Sequence, residues 1–284
     1  MSPTAQVRPL RGAPVLVAAP TTRCGTTLLQ RVFNSGSNSL LFGEDVTRGL
    51  VEALWAYVVR LRGFEEVRET NGADLQRALA GEQFWCPDLL PDVDRLLEHY
   101  RDSVQRYLDF LSAEAHHLGR PVWGGKRPGL SVSMLCLVRQ LIPDSRVIYL
   151  GRDVRDVARS AKARGFLKSE QDVAGLAQSW AAQMNEVEQF SKDAGSWFVR
   201  YEDLVADPED ALRRLEALTG ARDLDREVFG VKLNAFGRAS GSYVAPSELS
   251  AREQALLEQH AGAARQRYLE HAPTSGAAAL AAAS

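Results

Sequence analysis

A chain of 284 residues that is 45% hydrophobic and 25% charged has the composition of a globular protein with a buried core. A formal net charge of −2 excludes the broad basic surface of a general nucleic-acid or anionic-membrane binder, so any anion site must be built from a few placed residues. Three widely spaced cysteines, Cys24, Cys86 and Cys136, form no CxxC pair and point to neither a disulfide framework nor a zinc site.

Reduced cysteines fit a cytoplasmic setting. The first 14 residues carry Arg8 and Arg11 without the apolar segment of a secretion signal, and no stretch reaches the length of a transmembrane helix. The elements follow in chain order. Pro14–Ala19 is a short apolar run read as a buried strand, and Thr21–Thr26 a turn of small residues. Thr27–Asn34 carries Leu28, Leu29, Val32 and Phe33 at helical spacing. Leu40–Phe42 is a second short strand, Thr47–Arg62 a helix, and Asp88–Leu118 one or two helices. Leu61–Cys86 reads as a helical excursion over the site. Pro121–Trp123 is a strand leading into Gly124–Gly125–Lys126, Leu130–Leu141 an apolar helix, and Arg146–Leu150 the strand richest in β-branched and aromatic residues. Helices are expected over Val154–Arg164, Val173–Phe190, Pro208–Leu218 behind an Asp207 cap, and Glu248–Tyr268 capped by Ser247 or Ser250. Trp197–Arg200 is a further strand. Strands alternating with helices predict one α/β domain with a central parallel sheet covered on both faces. It spans residues 1–284, with a helical insertion at about 47–119 and a frayed Gly/Ala/Ser-rich tail over 275–284.

The first strand–loop–helix has the form of an anion site, because unpaired backbone N–H groups and the helix dipole point out of the helix N-terminus. The loop reads Pro20-Thr21-Thr22-Arg23-Cys24-Gly25-Thr26-Thr27. Gly25 permits close backbone approach, Thr26 and Thr27 add hydroxyls, and Arg23 adds charge. It is not a Walker A loop, since Thr26 occupies the lysine position, and Arg31 lies one residue too far from Cys24 for a tyrosine-phosphatase loop. The loop resembles the 5′-phosphosulfate loop of the sulfotransferase superfamily at Arg23, Gly25, Thr26, Thr27, Leu28 and Leu29. It departs at Thr22, where proline is usual, and at Cys24, where serine is usual and a thiol donates more weakly.

A second basic strand end, Gly151-Arg152-Asp153-Val154-Arg155-Asp156-Val157, is followed by Ser160 and resembles the superfamily's 3′-phosphate motif. The resemblance assigns phosphate contacts to Arg152 and Ser160, while Arg155, Asp156 and Arg159 are read as surface charges. Tyr201-Glu202-Asp203-Leu204 resembles a further family segment, with Tyr201 near the nucleotide and the two acids structural. Trp180 is read as core, with the adenine as its alternative neighbour. Trp123-Gly124-Gly125-Lys126-Arg127-Pro128 resembles the Gly-x-Lys-x-Pro segment of bacterial and tyrosine-directed sulfotransferases, and Arg238 lies where members carry a basic loop.

The resemblance implies a P-loop-like three-layer domain that transfers a sulfuryl group from 3′-phosphoadenosine 5′-phosphosulfate (PAPS), leaving 3′-phosphoadenosine 5′-phosphate (PAP). Such a transfer needs positioning and charge stabilisation, which Arg23 and Lys126 would supply, and its good leaving group calls for no metal. Glu44 in Gly43-Glu44 matches the segment that carries the general base in related enzymes; His99, His116 and His117 are its competitors. The expected acceptor is a hydroxyl-bearing small molecule or natural product. The alternatives are a nucleotide-dependent small-molecule kinase, which lacks its lysine, and a nucleotide-binding module without catalysis.

Overall fold

The computed structural model describes residues 8–65, 67–87, 89–190, 195–233 and 243–270. Arg238 and the tail 275–284 lie outside them. Five short apolar runs form strands: β1 (Val15–Ala19), β2 (Ser39–Phe42), β3 (Val122–Pro128), β4 (Arg146–Gly151) and β5 (Ser196–Arg200). They make one parallel sheet in the order β2-β3-β1-β4-β5. Every residue of β1 is buried, and so is β4 beyond Arg146, because helices cover both faces.

One face of the sheet packs Val15, Val17, Ile148 and Leu150 against α1 (Thr26–Ser35), α8 (Tyr201–Ala206) and α9 (Pro208–Thr219). The other packs Leu16, Trp123, Val147 and Tyr149 against α2 (Glu44–Glu65), α4 (Val93–His117), α5 (Val132–Leu141), α7 (Glu170–Phe190) and α10 (Ala251–Glu270). The helix α3 (Arg68–Leu79) and α6 (Val154–Ala163) complete the helices used below. α2, α3 and α4 fall between β2 and β3, where the insertion is expected. α9 begins at the Asp207 cap, whose carboxylate accepts the Asp210 N–H at 3.0 Å, with Pro208 tolerated at its first position. α10 begins behind Ser250, which exchanges hydrogen bonds with Glu253 in a capping box.

Strand order places the chain reversal at β1. The chain leaves β1, adds β3 and β2 on one side, then crosses to β4 and β5 on the other. Ligands in open parallel sheets bind at the carboxyl ends of the strands flanking such a switch. Here those ends are the β1–α1 loop and the ends of β3 and β4.

Of the elements that differ from the sequence expectation, two bear on the site. β3 runs on through the glycines, so Lys126 lies inside the strand, level with Val17 of β1, and not in a turn after it. Glycines are poor strand formers, but pairing on both edges overrides propensity. A Cβ on Gly124 would lie 1.7 Å from the Val15 carbonyl oxygen, so that position admits only glycine, and one on Gly125 would lie 2.2 Å from Thr47 Oγ1 of α2 and displace that side chain. α2 starts three residues earlier than expected, at Glu44, because two carboxylates in the first turn complement the helix dipole.

Candidate active site

The β1–α1 loop is held in a conformation that its sequence makes accessible. Arg23 has φ 72° and Gly25 has φ 102°, so the chain turns through the left-handed region twice before α1 begins. Gly25 sits directly against Tyr201: a Cβ there would meet the ring at 2.4 Å. Thr26 is buried and Thr27 is exposed at the first turn of α1.

On one side the loop is joined to β4 and α6. Arg23 Nε donates to Ser160 Oγ at 3.1 Å, and Arg152 Nη1 donates to the Arg23 carbonyl at 3.1 Å. The Arg152 guanidinium lies over the Tyr201 ring, 4.4 Å from its centroid, and its Nε is buried without a hydrogen-bond partner. Burial, then Arg164 and Arg152, hold Arg23 below the ordinary arginine value. Like charges gathered in one place disfavour one another, and an anion entering there relieves that repulsion. Arg164, at the C-terminal end of α6, carries no motif in the sequence and was not among the expected site residues.

On the other side the loop meets β3 and α2. Lys126 is 6% exposed, and its ammonium donates to Glu44 Oε1 at 2.5 Å and to Thr27 Oγ1 at 3.3 Å. A lysine this buried needs an anionic partner, and the first turn of α2 provides one. The Glu44 side chain stays 47% exposed, so its second face is open to solvent. The adjacent Asp45, and not Glu44, pairs with Arg48, at 3.3 Å. Thus Arg23, Thr27, Lys126, Glu44, Arg152, Ser160 and Tyr201 form one connected group around the loop. His99, His116 and His117 are exposed on α4, and the last two stand at the end of α4 that leads into the start of β3, the edge of the sheet away from the loop.

One expected contact changes, and one core reading holds. The Cys24 thiol is fully buried with Ala19 and Val157, 3.6 Å from Thr21 Oγ1, so it is not presented to a ligand. Trp180 is fully buried as well and donates its indole N–H to the Arg152 carbonyl at 2.9 Å; it is a core side chain behind the site.

A family model described as the sulfotransferase family matches residues 14–225. The chain belongs to the sulfotransferase family. This sulfotransferase is similar to the sulfotransferase domain from the Synechococcus PCC 7002 olefin synthase, at 16% identity and TM-score 0.47, covering 89% of this chain and 95% of that one. It is similar to the sulfotransferase domain from the curacin biosynthetic pathway, at 16% identity and TM-score 0.46, covering 88% and 98%. It is similar to mouse sulfotransferase SULT7A1, solved complexed with PAP, at 14% identity and TM-score 0.40, covering 77% and 62%. No curated protein matches. Among the described residues, no helix of the sulfotransferase is long and apolar enough to cross a membrane.

Burial pushes the Cys24 thiol up to about 11, so at pH 8 it is protonated as well as inaccessible. Alkylation of the native sulfotransferase at pH 8 is expected to modify exposed Cys136 and leave Cys24 intact until the protein is unfolded. Peptide mapping by mass spectrometry checks this; native labelling of Cys24 as fast as Cys136 contradicts it.

Proposed function

We propose that this sulfotransferase takes its sulfuryl group from PAPS and transfers it in line to a hydroxyl of a small-molecule acceptor, with Glu44 as the general base. The observation that carries the proposal is the double junction at the β1–α1 loop: Arg23, Arg152 and Ser160 meet on one side, and Thr27, Lys126 and Glu44 on the other. A cationic cluster and a base–ammonium pair separated by one phosphate-type loop suit a doubly phosphorylated nucleotide whose reactive end faces the base. The orphaned Arg152 Nε and the left-handed loop at Gly25 fit such an anion.

PAPS, when bound, supplies an activated sulfuryl group on a phosphate leaving group. Arg23, Gly25, Thr26, Thr27 and the Cys24 backbone N–H would hold the 5′-phosphosulfate, at the N-terminus of α1. Arg152 and Ser160 would hold the 3′-phosphate, with Arg238 as a further proposed contact and the Tyr201 ring beside them. Lys126 reaches both the loop and Glu44, so it can offset charge developing on the bridging oxygen. Glu44 is part-exposed, so an acceptor hydroxyl could approach it and give up its proton. Three widely spaced cysteines without a CxxC pair favour a reducing, cytoplasmic setting for the reaction.

Arg152→Ala tests the nucleotide assignment. PAP binding is expected to weaken by about 1.5–3 kcal/mol, the usual worth of a charged hydrogen bond. Binding of 5′-AMP, which lacks the 3′-phosphate, is expected to change little. Equal losses for both ligands by calorimetry would refute the assignment, and stabilisation of the wild type by MgATP in place of PAP would favour a kinase.

A further inference from the structure

Arg152 and Asp153 join β4 to α6, and side chains from three helices close around the peptide between them. Trp180 of α7 donates its indole N–H to the Arg152 carbonyl at 2.9 Å. The Asp153 N–H donates to Glu202 Oε1 of α8 at 3.0 Å, and Tyr268 of α10 donates its hydroxyl to Glu202 Oε2 at 2.5 Å. Arg265 of α10 grips the Asp153 carboxylate with Nε and Nη2 at 2.7–3.0 Å. That carboxylate also caps α6 by accepting the Arg155 N–H at 2.9 Å, and α6 carries Ser160 two turns on. Tyr268 completes the set by packing edge-on to Trp180, with ring centroids 5.6 Å apart.

α10 lies beyond the span of the family match, which ends at residue 225. Asp153 follows Arg152 in sequence and Glu202 accepts from the peptide N–H between them, and a carboxylate without a partner would compete with a bound phosphate for a guanidinium within its reach. Arg265 neutralises the first in a fork geometry that a lysine cannot reproduce. Tyr268 occupies the second, and burial with Glu202 beside it pushes its phenol up, so it remains a donor.

Given that Arg152 takes the 3′-phosphate, as proposed above, we propose that Arg265 and Tyr268 are positioning residues for 3′-phosphate recognition. They touch no ligand. They fix the Arg152–Asp153 peptide and the start of α6 together, and they keep two carboxylates from capturing the Arg152 charge.

The test is a double-mutant cycle read by calorimetry with PAP and 5′-AMP. Arg265→Ala is expected to weaken PAP binding about tenfold, within the range of coupled neighbours, while 5′-AMP binding stays near wild type. Arg265→Lys restores part of the loss. In an Arg152→Ala background, Arg265→Ala is expected to cost nothing further, because its effect passes through Arg152. Where Arg265→Ala folds poorly, Tyr268→Phe carries the same cycle and keeps the ring against Trp180 and Phe198. Equal losses for both nucleotides, or the same tenfold loss with and without Arg152, overturns the positioning role. A wild type that binds PAP no better than 5′-AMP overturns the nucleotide assignment itself, a separate result.

Discussion

Glu44→Gln is expected to lower kcat by about 10²–10⁴-fold, the usual contribution of general-base catalysis, with PAP affinity nearly unchanged. The amide keeps the shape of the side chain and can still accept from Lys126 at the 2.5 Å contact, but it cannot take a proton. A purely structural Glu44 predicts a different outcome. Its carboxylate is part-exposed and opens α2, so losing the pair with Lys126 would cost on the order of 1 kcal/mol of stability and leave kcat intact. Steady-state rates beside a melting curve separate the two. Acidic phenols, which need less help in losing a proton, should show a smaller drop. A stable Glu44→Gln enzyme of full activity would remove Glu44 from the mechanism and turn attention to Asp45.

Gly25→Ala is expected to cost about 2–5 kcal/mol of stability, from backbone strain and overpacking together. The φ of 102° is one that alanine rarely adopts, and its Cβ would meet Tyr201 Cδ2 at 2.4 Å and Cε2 at 2.7 Å. Both partners are anchored: Gly25 opens α1, and Tyr201 opens α8 beneath the Arg152 guanidinium. Relief in either direction therefore displaces a proposed nucleotide contact, and PAP affinity should fall with stability. Tyr201→Ala in the same chain removes the clash but not the strain, so it should recover part of the melting temperature. A Gly25→Ala protein that melts like wild type would show that the loop tolerates a side chain there.

Much of this arrangement is legible in the sequence because it rests on local chemistry. Strands β1, β4 and β5 are apolar runs bounded by turn residues, and the loop and Arg152 follow them directly. What stayed hidden depends on contacts between distant residues. β3 looks too glycine-rich to be a central strand until Val15 and Thr47 stand beside it. Trp180 reads as core, but the Arg152 carbonyl that accepts its indole N–H lies 28 residues away and is not legible. Cys24 aligns with a ligand-contacting serine, while the packing of Ala19 and Val157 turns its thiol inward. Arg164 and Arg265 are ordinary helix arginines by composition, and their roles follow from where α6 and α10 end up.

The resting bonds of the cationic cluster bear on turnover. Arg23 already holds Ser160, and Arg152 already holds the Arg23 carbonyl. On the proposed assignment, an arriving phosphate would exchange those bonds for its own and gain only the difference, since a displaced bond offsets much of a new one. The same trade would run backward when the spent nucleotide leaves: Arg23 and Arg152 each have a neutral acceptor to return to, while the repulsion among Arg23, Arg152 and Arg164 returns with the anion's departure. Affinity differences among related complexes reside mostly in dissociation rates. Partners kept in waiting would therefore shorten residence of the proposed nucleotide product and ease its hold on the enzyme before the next cycle.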